Sequence, residues 1–275
     1  MVDNGDLRLM AKLIRRLILE MTYRGKEGHI GTDYSCVDIL TALYFCDILR
    51  VDPQNPTWQE RDRFVMSKGH GAASLYATLA VKGFFPEELL NAFCQEGSSL
   101  SAHVTFDCLP GVESSAGSGG HGLPMAVGMA LAAKHDNRNS KIYVLVGDGE
   151  CQEGSIWEAL LFAGHHQLDN LTLIIDHNNL QTAEKVSEVV GLEPLRGKME
   201  SFGWQAQNIN GHDIDQIRNA LLPGEPQSKH GPSTPRVIIA KTIKGRGVSF
   251  MENNPIWHGR CPNEEEYRQA WEELS

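Results

Sequence analysis

Val144-Leu-Val-Gly-Asp-Gly-Glu150 and Leu173-Ile-Ile-Asp-His-Asn-Asn-Leu180 are the two stretches that decide the fold. Each opens as a short apolar run and then breaks into polar residues. That is the pattern of a parallel strand buried on both faces, with a tip that meets solvent or ligand. Between them, Ser155 to Gln167 reads as a helix with Ile156, Ala159, Leu160 and Ala163 on one face. The resulting β-α-β unit sets two strand tips side by side, Asp148 on one and Asn178 on the other. Ligands of open α/β sheets bind beyond the carboxyl ends of the strands. A carboxylate, a carboxamide and a backbone carbonyl such as that of Leu180 are hard oxygen donors. They suit Mg²⁺ or Ca²⁺, with phosphate oxygens and water completing the shell. Gly147 and Gly149 lack a Cβ, so a bulky anion can come close to the main chain. Taken singly, Gly-Asp-Gly reads as a turn and Asn-Asn as a loop start. Capping consecutive strands of one unit, they point to a site.

Working outward, Leu7 to Tyr23 is an amphipathic helix, followed by a loop over Glu27 to Tyr34 and a second helix from about Ser35 to Leu49. Arg63 to Met66 is a short strand ending in Ser67-Lys-Gly-His-Gly71, and a helix through Leu75 and Leu79 follows. Pro86 to Gln95 reads as a short helix with Pro in its first turn. Ser98 to Gly122 reads as a long loop, a length that marks function or disorder in a compact domain. Leu123 to His135 is an Ala- and Gly-rich helix, suited to close packing across a subunit interface. Gln181 to Met199 reads as irregular. Gln205 to Ile209 is a strand, Ile214 to Leu221 a helix, Pro223 to Pro235 a polar loop, and Arg236 to Thr242 a further strand. Trp257-His-Gly259 falls in the last loop, and Glu264 to Leu274 closes the chain as a helix. Strands alternating with helices imply an α/β fold: an open, mostly parallel sheet with helices on both faces, in a single domain over residues 1–275.

The 275 residues carry 41% hydrophobic and 22% charged side chains, ordinary for a globular protein. A net charge of −10 argues against nucleic acid, which needs a basic stripe. No apolar run reaches the ~20 residues that span a bilayer, and the N-terminus does not read as a signal peptide. The six cysteines lie far apart without a Cys-x-x-Cys pair, so neither zinc nor a disulfide framework is expected and a reduced cytoplasmic setting is. Five of the 11 histidines, His29, His70, His103, His121 and His258, sit in glycine-containing loops. Imidazoles so placed can bond substrate hydroxyls and carbonyls and relay protons near pH 7.

Gly147-Asp-Gly-Glu-Cys-Gln-Glu-Gly154 through Asp176-His-Asn-Asn-Leu-Gln181 resembles the thiamine-diphosphate motif, which opens with Gly-Asp-Gly and ends with Asn. With Trp157-Glu-Ala159 it resembles transketolase in particular. So do Gly28-His-Ile-Gly31, Ser67-Lys-Gly-His70, Ala102-His103, Gly117-Ser-Gly-Gly-His-Gly122, Lys241-Thr-Ile-Lys-Gly-Arg-Gly247 and Trp257-His-Gly259, in the same order. The resemblance implies the thiamine-diphosphate-binding fold. It implies that Asp148, Asn178 and the Leu180 carbonyl hold Mg²⁺ (Ca²⁺ or Mn²⁺ can substitute). By the same resemblance Lys68, His70, Gly117, Ser118, Gly119, Gly149, Asn178, Lys244 and His258 contact thiamine diphosphate. His29, His103 and His258 line the substrate channel as catalytic residues, and Glu153 is either a support behind them or a solvated helix-start residue. His165, His166 and His177 read as structural.

A complete transketolase continues through two further domains, one of which supplies the glutamate that activates the cofactor. The resemblance therefore implies the N-terminal subunit of a split transketolase, paired in an α₂β₂ assembly with a separate C-terminal subunit and acting on small sugars. Related alternatives are a deoxyxylulose-phosphate synthase-like or 2-oxo-acid dehydrogenase-like subunit, or a non-catalytic regulatory one. Two departures bear on the substrate. Thr32-Asp33-Tyr34 replaces small residues, which puts a carboxylate near the channel mouth, paired with a basic group of the partner or turned to solvent. Gly119 replaces a leucine that packs on the cofactor. They raise the expectation of a donor or acceptor outside the common pentose phosphates, such as a branched or sulfonated ketose.

Overall fold

Five parallel strands form the centre of the molecule, in the order β1-β2-β3-β5-β4. The computed structural model describes residues 3–182, 184–222 and 234–275. The strands are β1 (Arg63–Met66), β2 (Ile142–Gly147), β3 (Leu171–His177), β4 (Gln205–Asn210) and β5 (Arg236–Lys241). The register pairs Val146 with Ile175 and Gly147 with Asp176 across β2 and β3, and Asp176 with Ala240 across β3 and β5. All five run the same way, so every carboxyl end emerges along one edge.

Side chains alternate between two cores, as the two-residue period of a strand requires. Phe64, Met66, Tyr143, Leu145, Ile174 and Ile238 point to one core. It also holds α1 (Asn4–Gly25), α2 (Ile30–Phe45), α3 (Ala72–Lys82), α8 (Ile214–Leu221) and α9 (Glu264–Glu273). Val65, Val144, Val146, Leu173, Ile175, Val237 and Ile239 point to the other, shared with α4 (Gly122–His135), α5 (Gly154–His165) and α7 (Leu195–Ser201). Both faces are covered, which is why β2 and β3 lack the polar alternation of a half-exposed strand.

Several boundaries differ from expectation. The second helix starts at Ile30, not about Ser35, and all sixteen of its residues are buried. A helix enclosed on every side has no polar face to mark its start. Pro86 to Gln95 contains a 3-10 helix over Glu87–Ala92, and Trp257-His258 belongs to a 3-10 helix over Pro255–His258. The stretch read as irregular after Gln181 holds α6 (Val186–Val189) and α7. Of the expected loop Pro223 to Pro235, residues 223–233 lie outside the described residues. The span from 98 to 121 carries no helix or strand.

Candidate active site

The tips of β1, β2, β3 and β5 are held together by one buried carboxylate. Asp176, near the end of β3, pairs with the ammonium of Lys68 beyond β1 and accepts from the hydroxyls of Thr242 beyond β5 and Ser35 on α2. Burial alone would raise the Asp176 carboxyl. Lys68 and these donors outweigh burial and hold it below the usual range. Lys68 also donates to the Thr32 carbonyl at 3.2 Å.

Against this frame lies a cavity of about 370 Å³. Its walls include His29, Lys68, His70, His103, Gly117, Gly119, Asp148, Gly149, Asn178, Leu180 and His258, brought together from separate parts of the chain. Ser118 and Lys244 are not on the wall. Lys244 is 1% exposed and stands behind His258, its Nζ 2.7 Å from His258 Nδ1. Glu153 lines the rim, whereas His121 folds back on the loop, its Nδ1 3.0 Å from the Gly119 carbonyl.

Four of the histidines form one cluster. The His29 ring centroid lies 5.1 Å from that of His103, 5.5 Å from His70 and 5.6 Å from His258. Burial pushes His29 down to about 4 and His258 down to about 3, and holds His70 well below the ordinary imidazole value. Neighbouring cations and rings add to each shift. These three are therefore neutral at pH 7. Lys244 has only protons to give, so His258 Nδ1 is an acceptor and its proton sits on Nε2.

The two strand tips meet as expected. Asp148 is 2% exposed and accepts from the main-chain N–H of Gly149 at 2.8 Å and from that of Asn179. Asn178 Oδ1 accepts the Leu180 N–H at 3.0 Å, closing a turn in which Asn179 takes φ 63°. Burial, with Asp176 nearby, raises Asp148 to about 7. A buried carboxylate whose hydrogen bonds come from the main chain, beside a carboxamide, fits a hard divalent ion. Among the described residues no three His, Cys, Asp or Glu side chains gather to hold a metal. The protein's own ligand set is thus partial, as phosphate oxygens would require. A Cβ at Gly147 would meet nothing within 4 Å, which leaves that approach open.

Glu150 supports the glycine loop from below. Its carboxylate accepts from the Ser67 hydroxyl, from Gly120 N at 2.8 Å and from Gly147 N at 3.2 Å. Sequence reading passed over Glu150 and Asp176, although both are polar residues that interrupt apolar strand runs. Asp33 overturns an expectation. It lies in α2, 1% exposed, and its Oδ1 accepts the Ser74 N–H of α3 at 2.9 Å. Burial raises it to about 7. It is neither at a channel mouth nor turned to solvent; of the three departing residues, only Thr32 reaches the cavity.

Comparison with known proteins is consistent with this geometry. Residues 7–275 match the family described as transketolase, thiamine diphosphate binding domain. One of the two subunits of an apulose-4-phosphate transketolase from Phocaeicola vulgatus is 44% identical, over 98% of this chain and 94% of its own length. A 6-deoxy-6-sulfo-D-fructose transketolase subunit from a Clostridium species is 43% identical, over 98% and 96%. The crystal structure of Campylobacter jejuni transketolase superposes with a TM-score of 0.91 at 36% identity, covering 99% of this chain and 43% of that one. The chain thus spans about two fifths of the full-length transketolases and nearly all of the subunits. No described helix is long and apolar enough to cross a membrane.

Proposed function

We propose a function from the premise that this chain belongs to the transketolase family, as its thiamine diphosphate binding domain. It is the N-terminal subunit of a transketolase that moves a two-carbon ketol unit from a ketose donor to an aldose acceptor. The observation that carries this reading is the placement of Asp148 and Asn178 on adjacent strand tips, facing a cavity walled by four histidines. Asp148, Asn178 and the Leu180 carbonyl would hold Mg²⁺ against the diphosphate. The backbone of Gly117, Gly119 and Gly149 would lie along it, because glycine permits the approach. Thiamine diphosphate supplies the electron sink for the reaction. The protein's task is to position substrate and handle protons. His258 presents Nε2–H to the cavity, while neutral His29 and His70 can each donate or accept. His103, exposed at the cavity mouth, completes the channel.

The companion is a separate C-terminal subunit. Its contact face is the exposed apolar side of α4 and α5, formed by Met125, Leu131, Leu161 and Phe162. Each is at least a third exposed, a cluster that a monomer would not leave in water without use. The ketose is of the branched or sulfonated kind, in keeping with the substrates named for the two related subunits. Asp33 plays no part in that choice.

The test is reconstitution. Chain and companion subunit together, with Mg²⁺ and thiamine diphosphate, should catalyse ketol transfer that neither catalyses alone. Robust turnover by the isolated chain would reject the two-subunit reading. A preference for xylulose 5-phosphate with ribose 5-phosphate would reject the substrate class.

A further inference from the structure

His212 follows the tip of β4, at the far end of the edge where all the strand tips emerge, and is not part of the cavity wall. Its Nδ1 stands 2.7 Å from Asp38 Oδ2, and its Nε2 accepts the main-chain N–H of Ile243 at 2.8 Å. A ring nitrogen that accepts an N–H carries no proton. The imidazole is therefore neutral, with its proton on Nδ1 and directed at Asp38. Asp38 is itself gripped from α1: Arg15 Nη1 donates to Oδ1 at 3.1 Å and Nη2 to Oδ2 at 2.8 Å. The planar fork of a buried guanidinium leaves such a carboxylate little freedom. The Tyr34 hydroxyl donates to the Arg15 carbonyl at 3.0 Å and closes the cluster. The acceptor offered to Ile243 is thus anchored to two core helices and not to a loop.

The same region is drawn tight at a second point. Gly211 N donates to the Lys241 carbonyl at 2.7 Å, and a Cβ on Gly211 would fall 2.5 Å from the Thr242 methyl. Ile243 directly precedes Lys244, which reaches His258 Nδ1. We propose that His212 is a positioning residue: through the Ile243 N–H it fixes the main chain that carries Lys244, and Lys244 in turn fixes the ring of His258 on the cavity wall. The link relies on the proposed function only for the role of His258. Its geometry runs Arg15, Asp38, His212, Ile243, Lys244, His258, and no cofactor takes part.

The experiment reads the His258 tautomer by ¹⁵N NMR of ring-labelled chain alone at pH 7.5. Wild type should show the Nε2–H form. His212→Asn keeps a donor for Asp38 but is too short to reach Ile243, so the fold is retained while this one bond is lost. The preference of His258 for Nε2–H should then fall by about fivefold, the equilibrium worth of one ordinary hydrogen bond. His212→Gln, which can bring an oxygen to Ile243, should restore it. Lys244→Met should reproduce the loss. A His212→Asn spectrum with His258 unchanged overturns the proposal, as does a Lys244→Met spectrum with His258 unchanged. Failure of the reconstituted pair to bind thiamine diphosphate would instead overturn the proposed function and leave this link intact.

Discussion

The ammonium of Lys244 stands 2.7 Å behind Nδ1 of His258, with Lys244 closed off from solvent and His258 facing the cavity. Burial, with Lys68 nearby, lowers Lys244 to about 8. The pair couples a buried cation to a ring that substrate can touch. Removing the cation frees the ring to take either tautomer. Lys244→Met should lower ketol transfer by roughly ten- to hundredfold, the size of a hydrogen bond from a charged donor. Thermal stability should hold or rise, since a buried cation is replaced by an apolar stem. Steady-state rates and melts of the variant check both; an unchanged rate would contradict the role given to His258.

Asp148→Asn should separate stability from binding. The folded Asp148 carboxyl is raised to about 7 from 3.8. Between those values the folded chain holds a proton that the unfolded chain has released. Stability therefore falls as pH rises through that window, and the full cost is present above about 7. Asparagine removes it. The isolated variant should melt higher than wild type at pH 8, by roughly 2–4 °C if about 1 kcal/mol is recovered. At pH 4 the difference should vanish. Mg²⁺-dependent binding of thiamine diphosphate should be lost in the same variant, as titration calorimetry on the reconstituted pair can establish.

The histidine cluster acts in the opposite direction. His29 and His258 drop from 6.5 to about 4 and about 3 on folding, because burial disfavours the imidazolium. As pH falls below about 6.5 the unfolded chain takes up protons that the folded chain refuses. The stability present above 6.5 is therefore lost as pH falls toward the folded values. Asp33 and Asp148 bias the same melts the other way, so the readout is the difference between variant and wild type. His29→Gln with His258→Gln should flatten the acid side of the melting profile of the isolated chain. A difference that stays constant from pH 7.5 to 4.5 would show that these rings are not buried as neutral species.

Adjacent glycines in the 117–120 loop should respond differently. A Cβ on Gly119 would meet the nearest atoms, of Glu150 and Glu153, at 3.6 and 3.7 Å, ordinary contact. Gly119→Leu should fold with an unchanged melting temperature and bind thiamine diphosphate at least as tightly as wild type. Gly120 has φ 85°, and a Cβ there would lie 2.5 Å from the Ser155 hydroxyl. Gly120→Leu should lose about 1–3 kcal/mol from the left-handed conformation alone. Chemical denaturation of the two variants side by side makes the comparison.

Sequence reading found Asp148 and Asn178 because each ends an apolar strand run, and a strand's burial is written in its immediate neighbours. It found the channel histidines because their short glycine motifs occur in family order. It misplaced Asp33 because the start of α2 carries no periodic signal. The expectation of an unusual ketose rested partly on that residue, and its carboxylate instead receives the N–H of Ser74. It gave Lys244 a place at the cofactor, whereas the side chain lies one residue back, behind His258. His212 was read only as the lead into a helix.

What the sequence by itself determined is the β-α-β unit, the parallel sheet and the metal-binding pair, because period and strand termination are local properties of the chain. Only the tertiary structure decided which charged groups face the cavity and which face one another. Lys68 meets Asp176 and His212 meets Asp38 across 108 and 174 positions, and no local pattern encodes a contact that exists only once separate strand tips share one edge.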